Sequence, residues 1–158
     1  MSFRNQTRVL ILAAAVAGLA GCGRAEPLKV QLQGDSITDV ATLSFPGGIQ
    51  TAECGFTVDA VATGSKGDTA TFKQGRLVYT LLGSGDTMMA RPMDAASLAS
   101  FWEGDKPVVA AGSSIKSKRQ GISVSIPVQA LQGELTFDYE TTKSKETQTT
   151  APFRFTCR

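Results

Sequence analysis

The segment CGFTVDA at residues 54–60 alternates apolar residues with small or polar ones. Successive side chains of an extended strand point to opposite faces, so Cys54, Phe56, Val58 and Ala60 share one face. This period of two predicts a strand that buries one face and exposes the other.

The same period recurs on both sides of this segment. Four further segments have their apolar residues at alternate positions, and these are Leu28, Val30 and Leu32; Ile122, Val124, Ile126 and Val128; Leu135, Phe137 and Tyr139; and Phe153, Phe155 and Cys157. Weaker strand patterns cover residues 40–45, 70–82 and 108–111. About eight short antiparallel strands at this spacing predict an all-β fold, an immunoglobulin-like sandwich, with a small β-barrel as the alternative.

One segment departs from the strand pattern, because its apolar residues recur at helical spacing. These residues are Ala95, Leu98, Ala99 and Trp102. Asp94 can cap the short helix and Gly104 is expected to end it. Trp102, the only tryptophan of the chain, is expected to anchor the helix in one end of the sandwich. The polar segment 141–150 is expected to be a mobile hairpin loop.

The first residues have the order of a secretory signal, with Arg4 and Arg8 before an uncharged run at 9–19. A bilayer-spanning helix needs about 20 apolar residues, so this run is too short to span. Leu19-Ala20-Gly21-Cys22 resembles the lipobox of bacterial lipoproteins. The resemblance implies cleavage before Cys22 and attachment of a diacylglyceryl group to its sulfur. An ordinary secreted protein is the alternative.

The lipobox divides the chain into a signal peptide at 1–21, a short tether at 22–27 and a single β domain at 28–158. So short a tether would keep the domain close to its membrane. In proteobacteria that sort lipoproteins by the residue after the cysteine, Gly23 favours the outer membrane over the inner one. We therefore expect a lipid-anchored protein at the periplasmic face of the outer membrane, with the inner membrane left open.

Two cysteines remain once Cys22 is acylated, and both lie on the apolar face of their strands. An even pair in an exported domain predicts a disulfide between Cys54 and Cys157. Cleavage also removes Arg4 and Arg8, which leaves 14 basic and 14 acidic residues. A net charge of zero argues against a nucleic-acid partner.

The segment GDSI at residues 34–37 resembles the nucleophile block of the GDSL esterases and lipases. The resemblance implies that Ser36 is a nucleophile activated by a histidine, but the chain contains no histidine. We interpret the block as a turn that ends the first strand. The segment SSIK at 113–116 matches the Ser-x-x-Lys pattern of penicillin-binding enzymes, yet their two other motifs are missing from the sequence. We interpret Ser113 as part of a polar loop.

Two sets of side chains are candidates for binding. Thioethers are soft ligands that suit Cu(I), and the candidates for such a site are Met88, Met89 and Met93. Methionine more often fills gaps in a core, so no metal or other cofactor is predicted. Basic side chains could contact anionic lipids or an acidic envelope polymer, and these are Lys116, Lys118, Arg119, Lys143 and Lys145. Solvent-exposed turns are the alternative.

The sequence therefore predicts a non-enzymatic binding or structural module of the bacterial envelope. Its expected contacts are a membrane, through the lipid anchor, and a protein, peptidoglycan or lipid partner. A Cu(I)-binding lipoprotein and a serine hydrolase that acts through Ser36 or Ser113 without histidine are the alternatives.

Overall fold

A computed structural model of the chain describes residues 26–39, 50–126 and 131–157. Several predictions lie outside these residues: the signal peptide, the acylation of Cys22, the weak strand at 40–45 and the strand position Val128. The described residues form ten strands and one α-helix. The strands are β1 (Lys29–Asp39), β2 (Gln50–Thr63), β3 (Thr69–Leu81), β4 (Thr87–Met93), β5 (Val108–Ala110), β6 (Ser114–Lys116), β7 (Gln120–Ile126), β8 (Leu131–Thr141), β9 (Gln148–Thr149) and β10 (Phe153–Cys157), and the helix is α1 (Ala95–Phe101).

The strands form two antiparallel sheets packed face to face. In sheet A, β1 pairs with one edge of β2, and β6 and β7 pair with its other edge. Sheet B has the order β10-β8-β3-β4, with β5 on β3 and β9 on β8. The two sheets do not close into a barrel within the described residues. The prediction of a β-sandwich is confirmed, and the barrel alternative is not.

Alternating apolar residues supply the core, as their period predicted. Strand β8 is the regular case, because every second residue from Leu131 to Thr141 is buried. On β2, Cys54, Phe56 and Val58 are buried in the same way. Aromatic rings fill the space between the sheets, with the Phe56 and Phe155 ring centroids 4.3 Å apart across the interface.

A disulfide joins Cys54 on β2 to Cys157 on β10, with 5.6 Å between the two Cα atoms. Both cysteines are buried. The bond therefore crosses the core from sheet A to sheet B and ties the last strand to an early one, as predicted.

The short helix is confirmed, with Asp94 as its N-cap. The Asp94 side chain accepts a hydrogen bond from the Ser97 amide at 2.9 Å. The predicted end was wrong, however, because the helix stops at Phe101. Trp102 takes an extended conformation that buries its whole side chain and forms a bridge to Ser117. Gly104, at a φ of 77°, lies in the 3-10 turn that follows.

Strand pairing extends into the segment predicted to be a turn and into the predicted hairpin loop, whose hairpin is confirmed by the antiparallel β8–β9 pair. The GDSI segment at 34–37 is not a turn, since β1 continues through it to Asp39 against the longer β2. The segment 141–150 contains β9, which pairs with β8, and its end residues Thr141 and Thr150 are buried.

Candidate functional site

The residue that follows the predicted tether is fixed in the core. Leu28 is only 1% exposed, and Gly64 packs against its backbone. Two residues earlier, the Glu26 carbonyl accepts a hydrogen bond from the Ser65 hydroxyl at 3.1 Å. The chain therefore enters the domain at one end of the sandwich, next to the turn that joins β2 to β3.

Three turns meet at this end, which we call the tether end: residues 64–68, 111–113 and 141–147. The Ala111 amide donates to the Asp68 carbonyl, and the Gly112 amide donates to the Ala62 carbonyl. The Thr142 amide donates to the Thr69 carbonyl on the other side. Backbone hydrogen bonds thus hold the three turns together as one surface.

A buried carboxylate organises the centre of the tether end. Asp68 is 2% exposed, and its Oδ1 accepts hydrogen bonds from the Thr142 hydroxyl and from the amides of Thr69 and Lys143. The hydrogen bond from Thr142 is the main reason that the pKa of Asp68 lies below its usual value, and burial opposes that shift. Asp68 is therefore a charged group that serves internal contacts.

The exposed charged side chains of the tether end are mostly basic. Lys66, Lys143 and Lys145 project from two of the three turns, and Lys29 lies at the start of β1. The exposed acids at this end are Glu26 and Glu146. Sequence reasoning identified Lys143 and Lys145 but missed Lys66, which becomes their neighbour only when Asp68 joins its turn to the 141–147 turn.

The other predicted basic residues lie elsewhere. Lys118 forms an ion pair with Asp105 at 2.6 Å, and Arg119 forms one with Glu53 at 3.6 Å. Lys116 lies on β6 of sheet A, opposite Asp59 in the register. The structure therefore does not bring the five predicted residues into one patch.

Neither predicted nucleophile has the base that its motif would require: the chain contains no histidine for Ser36, and Lys116 lies apart from Ser113. Ser36 is exposed on β1, opposite Phe56 in the register. The Ser113 hydroxyl donates to the Ala110 carbonyl at 2.7 Å. Lys116 is three residues farther along an extended segment, which separates it from Ser113 by about 10 Å and turns it to the other face.

The three methionines do not converge either. Met88 is 46% exposed, Met89 packs partly against the core, and Met93 is buried beside Gly75. Met89 and Met93 are four residues apart on β4, or about 13 Å along the strand. Among the described residues, no group of three His, Cys, Asp or Glu side chains is arranged to hold a metal ion.

Several surface depressions lie among the described residues, and those found there are small or open. Helix α1, β4 and β7 enclose one of about 130 Å³ whose lining includes Arg91, Ser97 and Gln120. A wider one of about 380 Å³ lies on the outer face of sheet B. Within the core, burial raises the pKa of Tyr79 to about 12, and its hydroxyl has no hydrogen-bond partner in the described part of the chain.

The end opposite the tether end, which we call the far end, carries the β3–β4 turn at residues 82–86. Leu82 begins this turn and Met88 lies just after it, at 36% and 46% exposure. Thr69 and Thr80 lie eleven residues apart on β3, so the two ends are separated by roughly 35 Å. No helix within 26–39, 50–126 and 131–157 is long and apolar enough to cross a membrane.

Comparisons with known proteins show that this chain is similar in fold to solved structures. No family model and no curated protein matches the chain. The X-ray structure of the structural genomics target SoR45 is similar with a TM-score of 0.55 and 14% identity, over 81% of this chain and 85% of that one. The crystal structure of the structural genomics target BeR40, described as an ApaA protein from Bordetella pertussis, is similar with a TM-score of 0.50 and 15% identity, over 82% of this chain and 93% of that one. At such low identity these likenesses support the two-sheet fold alone.

Proposed function

We propose that this chain is a lipid-anchored, non-enzymatic binding or structural module at the periplasmic face of the outer membrane. The observation that carries the proposal is the distance between the lipobox cysteine and the core. Leu28, the first buried residue of the described part of the chain, follows Cys22 by six residues. Six residues reach roughly 20 Å when fully extended. An acyl chain on Cys22 would therefore hold the sandwich directly on the membrane.

The disulfide supports the export that a lipoprotein requires. Disulfides form and persist in oxidising compartments such as the bacterial periplasm, and they are rare in the cytosol. The bond between Cys54 and Cys157 is buried between the two sheets. Cys22 is then the one cysteine left for lipid.

The surroundings of the candidate nucleophiles support a non-enzymatic role. An acyl-transfer serine needs a base within hydrogen-bond reach. Ser36 lies exposed on a strand of a chain that has no histidine, and the Ser113 hydroxyl is used by its own turn.

Exposed apolar side chains at the far end support the proposal of a partner in the envelope. Leu82 and Met88 expose apolar surface on both sides of one turn, at the end farthest from the anchor. A protein, peptidoglycan or lipid component that approaches from the periplasm would meet this end first.

Mass spectrometry of the protein purified from its native membrane tests the anchor. We expect a chain that begins at Cys22 and carries the mass of its acyl groups. A Cys22→Ser variant should stay unprocessed, and a Gly23→Asp variant should keep its lipid but fractionate with the inner membrane. A first residue without lipid would overturn the proposal, and equal fractionation of the Gly23→Asp variant would overturn the outer-membrane assignment.

Crosslinking in intact cells tests the binding role. A photoreactive amino acid at Leu82 should recover one defined envelope component, whereas the same group at Arg76, on the outer face of sheet B, should not. Recovery of the same random neighbours from both positions would contradict a binding role for the far end.

A further inference from the structure

We infer that the tether end is a membrane-seating surface, on which Lys66, Lys143 and Lys145 contact the phosphates of anionic lipid headgroups. The inference rests on the proposed lipid anchor and adds the orientation of the domain on its membrane.

The path of the chain determines which end faces the bilayer. Glu26 is hydrogen-bonded to Ser65, so the described chain is already attached to the tether end four residues after Cys22. Four residues span about 14 Å at most. The far end lies roughly 35 Å away along β3. A lipid on Cys22 can therefore bring the tether end to the headgroups, and the far end is out of its reach.

The charges of the tether end fit an anionic surface. Lys66, Lys143, Lys145 and Lys29 outnumber the exposed acids Glu26 and Glu146. The other acid of the three turns, Asp68, is buried, and its carboxylate accepts hydrogen bonds from the Thr142 hydroxyl and the Lys143 amide. A lysine near an anionic bilayer favours binding by about 1 kcal/mol, which corresponds to roughly fivefold.

The backbone that carries these lysines is also held in place. Lys66 and Lys143 extend from turns that Asp68 ties together, and the Glu146 amide donates to the Ser144 hydroxyl within the same turn as Lys145. A rigid surface loses less entropy on binding than flexible side chains on independent loops. Lys118, by contrast, is paired with Asp105 and lies outside the tether end.

The test uses the mature lipidated protein in vesicles of phosphatidylethanolamine and phosphatidylglycerol that contain a headgroup spin-labelled lipid. Thr147→Cys and Thr87→Cys form a matched pair, since both threonines are exposed, one at the tether end and one at the far end. With the native disulfide intact, a fluorophore on each new thiol reports its distance from the headgroups. We expect the Thr147 label to be quenched several-fold more strongly than the Thr87 label.

Variants that remove positive charge distinguish the contact of the tether end with the headgroups from the attachment through the lipid. Replacing Lys66, Lys143 and Lys145 by Gln should lower the quenching at Thr147 and leave the protein in the vesicle. The control replaces three other exposed bases by Gln, namely Lys106, Arg76 and Arg91, and should leave the quenching unchanged. Phosphatidylcholine vesicles or high salt should act like the first triple variant.

Each outcome decides one of the two proposals. If the purified protein carries no lipid, it does not enter the vesicles. That result overturns the lipid anchor and the membrane-seating surface together. Lipidated protein whose two labels are quenched alike overturns the seating surface alone. Strong quenching at Thr147 that is the same for both triple variants and both vesicle types overturns the role of the lysines.

Discussion

The Thr142 hydroxyl donates a 2.5 Å hydrogen bond to the Asp68 carboxylate, although the two residues are 74 positions apart. The amides of Thr69 and Lys143 donate to the same oxygen. One buried carboxylate therefore fastens the turn after β8 to the turn before β3, and with them two of the three parts of the tether end.

Removal of this carboxylate should destabilise the domain. An Asp68→Ala variant leaves the part-buried Lys143 amide and Thr142 hydroxyl without the acceptor they share, which costs about 1–3 kcal/mol. Urea unfolding of the purified domain measures the loss. Asp86→Ala is the matched control, because Asp86 is exposed at the far end and such surface changes stay within about 0.5 kcal/mol. Equal losses in the two variants would contradict the role of Asp68.

The contribution of Asp68 should also depend on pH. Hydrogen bonding lowers the pKa of Asp68 in the folded state, so its carboxylate stabilises the fold above the unfolded-state pKa of about 3.9. That stabilisation is lost as the pH falls through the lower folded-state pKa. The difference in unfolding free energy between the wild type and Asp68→Asn should be full at pH 7 and should shrink below about pH 4. A constant difference down to pH 2 would contradict this.

The disulfide should provide a large part of the stability. Cys54 and Cys157 are separated by 103 positions, and the chain-entropy model gives about 4.7 kcal/mol for a loop of about 100 residues. A Cys54→Ala, Cys157→Ala double variant should therefore unfold at much lower urea concentration than the wild type. Reductant should lower the midpoint of the wild type and leave that of the double variant unchanged. A wild type that is insensitive to full reduction would contradict the prediction.

The sequence predicted the parts of the fold that local periodicity encodes. Buried Phe56 and Phe137 followed from alternation. The pairing of Cys54 with Cys157 followed from the count of cysteines left once Cys22 is assigned to lipid, and their apolar faces placed the bond in the core. Strand β4 was missed because its sequence, TMMARPM, lacks clean alternation and includes Pro92. The tether end was missed for a different reason. The partners of Asp68 come from two distant segments, and only the folded chain brings them together.

Trp102 should be the strongest single anchor of α1. Its ring is fully buried and stacks on Phe72 with centroids 5.1 Å apart. A Trp102→Ala variant should lose about 3–5 kcal/mol of unfolding free energy. Trp102→Phe should lose clearly less, because it keeps an aromatic ring and removes an indole NH that has no partner among the described residues. Circular dichroism measures both, since the variants lack the only tryptophan. Equal losses would show that stacking contributes little.

In the GDSI segment, a substitution of Gly34 should destabilise the domain more than a substitution of Ser36. A Cβ at position 34 would overlap the Thr57 carbonyl oxygen and come within 2.9 Å of the Val58 Cα, and both atoms belong to the backbone of β2. Gly34→Ala should therefore cost about 1–3 kcal/mol through overpacking. Ser36→Ala should change stability by less than about 0.5 kcal/mol, because Ser36 is exposed. Urea unfolding measures both variants.

A fluorophosphonate probe then separates a structural from a catalytic origin of the resemblance to GDSL esterases. If close strand packing accounts for the glycine, the wild-type protein should not react with the probe, since a serine without a base is a weak nucleophile. Labelling that disappears in the Ser36→Ala variant would instead mean that Ser36 finds a base other than histidine. Gly34 and Ser36 lie on the same strand, β1. If Gly34→Ala destabilises the domain and Ser36 does not react with the probe, the GDSI segment has a role in the fold alone.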